Sequence, residues 1–568
     1  MILESFQHWE ELGQQLEKSI STYLDACSIL EASTSGDPAS AHDLVPRIDR
    51  CLDSFSACLS QRLASAHSSI VRTRNNIASP AHRLPNEILS KIFHIAIYSI
   101  DVKETRQLSC EYTIRTIYQR LHALAGVCSA WRRVGLEEAF WSLVPIIEHP
   151  SGCYTPTAAQ LSLERAPNYR LRLAGYLKDS RPDIQEFTVR MFSQHGPRFD
   201  SINLHSDSLI SLVQSMGAWI DRISGGQVSI KNLSLCYSTH PQPQLHRPLG
   251  ATEGLFPLDS PRWPEFERLI ESLRVLHIWG LMLPIESLSL RHLTQLTLQE
   301  IRLNNNLVFA SSLRALASCS QLQTLEIISV VVLIWTTEED FLRDLPIFLP
   351  SLQYLYMEDL LAPLLQLTLR SISPGSHLVA INWTDSSSSA LRGLSAPLFP
   401  TEMSLSDFKI DVLFISSRRY TLRRRMRDIR FALETMPTIT RLYLDSLVVD
   451  SEVLDCLMPT AVTPEEPPTN PRGFPELKIL HVSRSHCHDP KALQRLPKVA
   501  ASHPLEELGI GIGANCNCSP IPASQDGFDS EIELVWESLV NAAPKVRRLP
   551  TKASEMSDVA FERSVWRL

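Results

Sequence analysis

One short pattern recurs through most of the chain beyond residue 160. It is an apolar residue, two of any kind, an apolar residue, one of any kind, and a third apolar residue. It reads Leu273-Arg-Val-Leu276-His-Ile278 and returns as Leu293-Thr-Gln-Leu296-Thr-Leu298, Leu322-Gln-Thr-Leu325-Glu-Ile327 and Leu352-Gln-Tyr-Leu355-Tyr-Met357. Later copies are Leu378-Val-Ala-Ile381-Asn-Trp383, Leu405-Ser-Asp-Phe408-Lys-Ile410, Ile439-Thr-Arg-Leu442-Tyr-Leu444, Leu477-Lys-Ile-Leu480-His-Val482 and Leu505-Glu-Glu-Leu508-Gly-Ile510. Weaker copies start at Phe199 and Ile230. The copies follow one another at a period of about 30 residues with insertions, which indicates stacked supersecondary units, a solenoid.

The last three residues of each copy alternate in, out, in, as a short strand does. Phe266–Ile270, Leu313–Leu316 and Phe341–Phe348 read as return helices. One strand and one helix per unit give an irregular α/β solenoid, 160–555, with one parallel sheet. The residue before the last apolar position points away from the apolar side. These residues are His277, Thr297, Glu326, Tyr356, Asn382, Lys409, Tyr443 and His481. Such a mixed polar, charged and aromatic row suits protein recognition. A solvated sheet face without a ligand is the alternative.

Composition narrows the rest. The chain has 568 residues with 37 Pro against 20 Gly. Gly-poor composition disfavours a fold of phosphate loops and tight βα turns, and suits short elements that Pro stops. The Pro excess falls largely in segments that interrupt the array near 237–264, 385–400 and 458–473, which read as loops. A net charge of −8 argues against a protein that coats nucleic acid or anionic membrane. The 12 cysteines show no secreted-scaffold spacing, and the longest apolar run, Ile327 to Trp335, is too short to span a bilayer. The sequence reads as that of a cytoplasmic or nuclear protein with free thiols and no membrane contact.

Two amphipathic helices open the chain. Trp9, Leu12, Leu16, Ile20, Tyr23, Cys27 and Leu30 follow at spacings of three and four. After a polar break at Thr34–Ser40, Leu44, Ile48, Leu52, Phe55, Leu59 and Leu63 form a second stripe. Residues 1–80 therefore read as a helical hairpin or coiled-coil arm, packing internally or forming a homodimer.

The segment 81–147 is different. Leu84-Pro85-Asn-Glu87-Ile88-Leu89-Ser-Lys-Ile92-Phe93 starts a helix with Pro near its first turn. Val127-Cys128-Ser-Ala-Trp131-Arg132 and Phe140-Trp141 follow. In that order these residues resemble an F-box, and with the array they resemble the large F-box families of mushroom-forming fungi, whose repeats are degenerate leucine-rich repeats. The spacing departs from the F-box pattern in the middle, where 101–118 holds extra residues. The common leucine-rich repeat places Asn or Cys after its strand, whereas here that place holds Leu281, Ile301, Val330, Leu360 and Leu447.

The resemblance implies an α+β protein: N-terminal helices, a helical F-box-like module and the solenoid. It implies a non-catalytic substrate receptor of a Skp-cullin-F-box ubiquitin ligase. Leu84, Pro85, Ile88, Leu89, Ile92 and Phe93 would enter the Skp adaptor's groove, with Val127, Cys128 and Trp131 filling or bracing the contact. A protein-binding scaffold outside any ligase is the second reading.

No residue set matches a catalytic pattern, and no cofactor is expected. His486-Cys487-His488 and Cys516-Asn-Cys518 lack the ligand spacing of a zinc site. Gly509-Ile-Gly511-Ile-Gly513 lacks the rest of a dinucleotide fingerprint and reads as a repeat strand. Arg418–Arg430 reads as a repeat helix with a basic outer face, or as a nuclear-import or acidic-partner patch.

Overall fold

The computed structural model describes residues 2–34, 44–78, 84–98, 110–147, 156–178, 181–223, 230–237, 254–336, 345–383, 405–416, 425–459, 473–487, 489–513 and 525–549. The chain forms two compact units, Met1–Leu89 and Ser90–Leu568. The division falls inside one helix rather than at the expected boundary near residue 80.

In the first unit, α1 (Ile2–Thr34) is followed by a continuous helical run. That run comprises α2 (Val45–Arg50), a π-helical turn (Cys51–Ser56) and α3 (Ala57–Ala78). The Tyr23 and Phe55 rings meet at 5.7 Å between centroids. The Cys51 thiol, with Cys27, lies beside the Tyr23 hydroxyl and raises its pKa. These pairs bring the Tyr23 level of α1 against the start of the second helical run.

Helix α4 (Asn86–Tyr98) spans the division. The second unit continues with α5 (Cys110–Val127) and α6 (Ser129–Gly135). Part of the expected extension, Cys110–Tyr118, is therefore helix, and 101–109 lie outside the described residues. A 3-10 turn, Glu138–Trp141, runs directly into β1 (Leu143–Ile146). The parallel sheet thus begins at Leu143, earlier than the repeat pattern places it.

Fourteen strands form this sheet among the described residues, and they follow chain order apart from two strands set aside as a ribbon. After β1 come β2 (Leu171–Leu177), β3 (Phe199–Ser206), β4 (Asn232–Tyr237), β5 (Val275–Trp279) and β6 (Gln295–Gln299). β7 (Arg302–Asn305) and β9 (Val331–Ile334) pair with each other. The main sheet continues through β8 (Thr324–Ile328), β10 (Tyr354–Glu358), β11 (Leu378–Trp383), β12 (Val412–Ser416) and β13 (Arg441–Asp445). It ends with β14 (Ile479–His486), β15 (Glu507–Gly513) and β16 (Lys545–Arg548). Every neighbouring pair is parallel.

The apolar pattern explains the register. Leu276, Leu296, Leu325, Leu355 and Val379 are partners across β5, β6, β8, β10 and β11. Ile278, Leu298, Ile327, Met357 and Ile381 form the next ladder, and both ladders are buried. Shifting one strand by a single residue would turn its buried side chains to the opposite face, so these ladders hold the strands in place. Helices occupy several crossovers, among them α7 (Pro182–His195), α8 (Leu209–Ile223), α9 (Asn306–Ala315) and α10 (Ala362–Ser371). The helix expected at Phe341–Phe348 is not seen at 345–348, where Ile347 bridges to Ile372, and 341–344 lie outside the described residues.

A repeated turn closes five of the strands. Gly280, Glu300, Ser329, Asp359 and Ser446 each adopt positive φ, between 51° and 67°. The backbone N–H of each donates to the last or a late residue of a neighbouring strand, as from Glu300 to the Ile328 carbonyl at 2.9 Å and from Ser329 to Glu358 at 2.8 Å. The next residues, Leu281, Ile301, Val330, Leu360 and Leu447, are all buried. A buried apolar side chain thus follows each turn, and backbone hydrogen bonds tie the turn to the neighbouring strand.

Candidate interaction surfaces

The residues expected to make the adaptor contacts fall in both units. In the first, the Pro85 carbonyl accepts from the N–H groups of Ile88 at 3.1 Å and Leu89 at 3.0 Å, starting α4. Leu84, Pro85 and Ile88 are exposed, whereas Leu89 is only 5% exposed. In the second, Ile92 and Ile95 are exposed, whereas Phe93 and Ile97 are fully buried. On α4, the four-residue spacing of Leu89, Phe93 and Ile97 makes a buried stripe, and Ile88, Ile92 and Ile95 make an exposed one.

Leu89 and Phe93 therefore depart from the expected adaptor contacts. Burial in the fold leaves them no surface to offer. The Phe93 ring meets Trp131 edge-on at 5.1 Å and Phe140 at 6.1 Å. Cys128 takes an extended backbone before α6, and its sulfur accepts the Trp131 N–H at 3.5 Å. Cys128 and Trp131 are half-buried and brace the helices, while Val127 is 59% exposed. Trp141 donates its indole N–H to the Gly135 carbonyl at 2.8 Å, and the Arg165 guanidinium lies 4.0 Å over its ring. The Tyr118 hydroxyl donates to the Leu143 carbonyl at 2.6 Å, so the helical segment is tied to the first strand. Burial pushes the Tyr118 pKa well up.

The proposed substrate row separates into two. His277, Thr297, Glu326 and Tyr356 are register partners on β5, β6, β8 and β10, and the row continues to Ala380 rather than Asn382. Asn382 belongs to a neighbouring row with Glu358, Phe414, Tyr443 and His481. Lys409 precedes β12 and is not on the sheet. The repeat pattern there is the overlapping Ile410-Asp-Val-Leu413-Phe-Ile415, whose apolar residues are buried; Phe414 takes the place assigned to Lys409.

The centre of this face is also not a solvated surface. Ile328, Tyr356, Ala380, Val412 and Phe414 form a buried cluster, with Tyr354, Leu378 and Tyr443 packed against it. Thr297, Tyr356 and His481 are buried, so as free contacts they are corrected; His277, Glu326, Asn382 and Tyr443 keep partial exposure. Large aromatic side chains on adjacent parallel strands cover one another, as in Phe414 and Tyr443 stacked at 4.5 Å.

Two polar networks flank the cluster. Glu358, 3% exposed, accepts from the Tyr356 hydroxyl and the Asn382 amide, each at 2.7 Å. Farther along, the Glu507 carboxylate meets His481 Nε2 at 2.9 Å, Lys545 Nζ at 2.8 Å and the Arg547 guanidinium. A carboxylate only accepts, so His481 donates from Nε2. Burial lowers the His481 pKa. Burial alone would raise the Glu507 carboxyl, but Lys545, Arg547 and His481 together hold it below its ordinary value.

Among the described residues no group of His, Cys, Asp and Glu could hold a metal ion. Cys487 donates to the Asp489 carbonyl at 3.0 Å, and burial pushes its thiol up to about 11. His488, Cys516 and Cys518 lie outside the described residues. Gly509–Gly513 belongs to strand β15. Of the basic stretch, α11 (Arg425–Thr435) buries Ile429 and Leu433. Arg430 pairs with Glu434 and lies 4.8 Å over Phe474, so it is committed within the fold. Arg418, Arg419, Arg423 and Arg424 lie outside the described residues. No described helix is long and apolar enough to cross a membrane.

No protein-family model matches the chain, and no curated protein matches it.

Proposed function

We propose that the chain is the substrate-recognition subunit of a Skp-cullin-F-box ubiquitin ligase, with a leucine-rich-repeat solenoid as the receptor part. It binds the Skp adaptor through the F-box-like segment and a protein substrate through the repeat array, and it performs no ubiquitin transfer itself. The observation that carries this reading is the exposed stripe of α4. Ile88 and Ile92, 41% and 44% exposed, follow Leu84 and Pro85 on a helix whose other side is buried. Short helices with an apolar stripe dock by helix-in-groove burial, and clustered apolar anchors carry most of such an affinity. With Leu89 and Phe93 in the core, the anchors are Leu84 and Pro85 and, on α4, Ile88 and Ile92.

Co-purification with the Skp adaptor tests the reading. Wild type is retained, and Leu84→Ala/Pro85→Ala and Ile92→Glu are lost while remaining folded. Equal absence of wild type and variants would leave the second reading, a scaffold outside any ligase. Its support is the burial of Leu89 and Phe93, two of the side chains expected in the adaptor's groove.

A further inference from the structure

The Met1–Leu89 unit holds an apolar surface that two helices cannot cover. Phe6, Trp9, Leu12, Leu16, Tyr23 and Leu30 on α1 are each 43% to 51% exposed. On the second run Leu52, Phe55, Leu63 and Ile70 are 39% to 62% exposed. Large apolar side chains bury roughly 150–250 Å² each when aromatic, so these residues together leave on the order of 1,000 Å² of apolar surface to water. That exceeds the roughly 300–600 Å² largest patch of an ordinary monomer. It matches the roughly 800 Å² that each partner contributes to a standard stable interface.

Charge identifies the occupant. The α1 segment carries Glu4, Glu10, Glu11, Glu17, Asp25 and Glu31 against Lys18, a net −5. The segment 45–78 carries Arg47, Arg50, Arg62, Arg72 and Arg74 against Asp49 and Asp53, a net +3. A partner must therefore offer an apolar seam with a basic side for α1 and an acidic side for α3. A hairpin of one acidic and one basic helix meets that demand when turned about a two-fold axis onto itself. We propose that two copies of this chain associate through this unit, α1 of one copy against α3 of the other, as a four-helix bundle. The dimer doubles the receptor without using α4 or the sheet, and it stands or falls independently of the adaptor reading.

Sedimentation equilibrium of the full chain across protein concentrations tests it, with circular dichroism to report helix content. The wild type sediments at twice the chain mass and dissociates on dilution. Leu12→Glu/Leu16→Glu keeps the helix content and runs as a monomer at all concentrations. Glu10→Arg/Glu17→Arg weakens the dimer about tenfold at low salt. Adding Arg62→Glu/Arg74→Glu to the same chain restores it, which a folding defect would not allow. A monomeric wild type, or a dimer indifferent to all these changes, overturns the proposal.

Discussion

The edge of the Phe93 ring meets the Trp131 ring at 5.1 Å between centroids, with 66° between the planes. This contact joins α4 to α6, and the Phe140 ring meets Phe93 at 6.1 Å. It makes Phe93 part of the fold and leaves its neighbour Ile92 outside it.

The two adjacent residues therefore fail in opposite ways. Phe93→Ala removes a fully buried ring and costs about 3–5 kcal/mol of stability, read by urea denaturation. Ile92→Glu changes stability by less than about 1 kcal/mol but abolishes adaptor retention. Equal stability losses for the two variants would contradict the division of α4 into core and interface stripes.

Strand-closing residues give a sign contrast. Glu300 is an exposed non-glycine at φ 52°. Left-handed backbone costs an L-residue about 1–2 kcal/mol, and glycine removes most of that strain. Glu300→Gly is expected to raise the unfolding free energy by up to about 1 kcal/mol, because glycine also loses more entropy on folding. Gly280→Ala is expected to lower it, since a Cβ there would overlap the Tyr237 carbonyl oxygen. Denaturation midpoints decide both.

The buried Glu358 makes a third test. Glu358→Leu leaves the Tyr356 hydroxyl and the Asn382 amide without this acceptor and costs about 2–4 kcal/mol. Glu358→Gln keeps an acceptor oxygen and costs less. If leucine proves as stable as glutamine, the network contributes nothing beyond its packing.

Stability also depends on pH. Burial holds the imidazoles of His481, His503 and His377 below the ordinary histidine value. In the unfolded chain each gains a proton near pH 6.5, while the folded chain stays neutral to lower pH. The unfolded state then binds more protons, so this stability is complete above about pH 6.5 and declines as the pH falls below it. Thermal midpoints at matched ionic strength should drop from pH 7.5 to pH 5.5, and less steeply in His481→Phe/His503→Phe. Glu507 acts in a separate window: its depressed pKa contributes stability that is lost only as the pH falls below about 4.5. A flat profile from pH 7.5 to 5.5 would refute the histidine assignment.

Much of the sheet was legible because Leu, Ile and Val at strict spacing have one energetically acceptable placement. Leu276, Leu296, Leu325 and Leu355 read as strand residues and are register partners. The sites were less legible. At 405–415 two apolar hexads overlap, and spacing cannot rank them; Ile410, Leu413 and Ile415 carry the strand pattern. At 378–383 the strand partners place Val379 and Ile381 in the ladders and Asn382 in a different row.

By itself the sequence determined the local periods: two amphipathic helices, the Leu84–Pro85 start of α4 and an array of short parallel strands. Those follow from patterns within a few residues, where side-chain direction alternates or turns predictably. Only the tertiary structure decided which side of a strand or helix met solvent. Tyr356 looked like a surface residue because it alternates with apolar neighbours, yet Ala380, Val412 and Phe414 come to it from two other strands and bury it. Phe93 looked like an interface anchor because it follows Ile92, yet Trp131 closes over it. Burial depends on residues far away in the chain, and a short-range pattern carries no record of them.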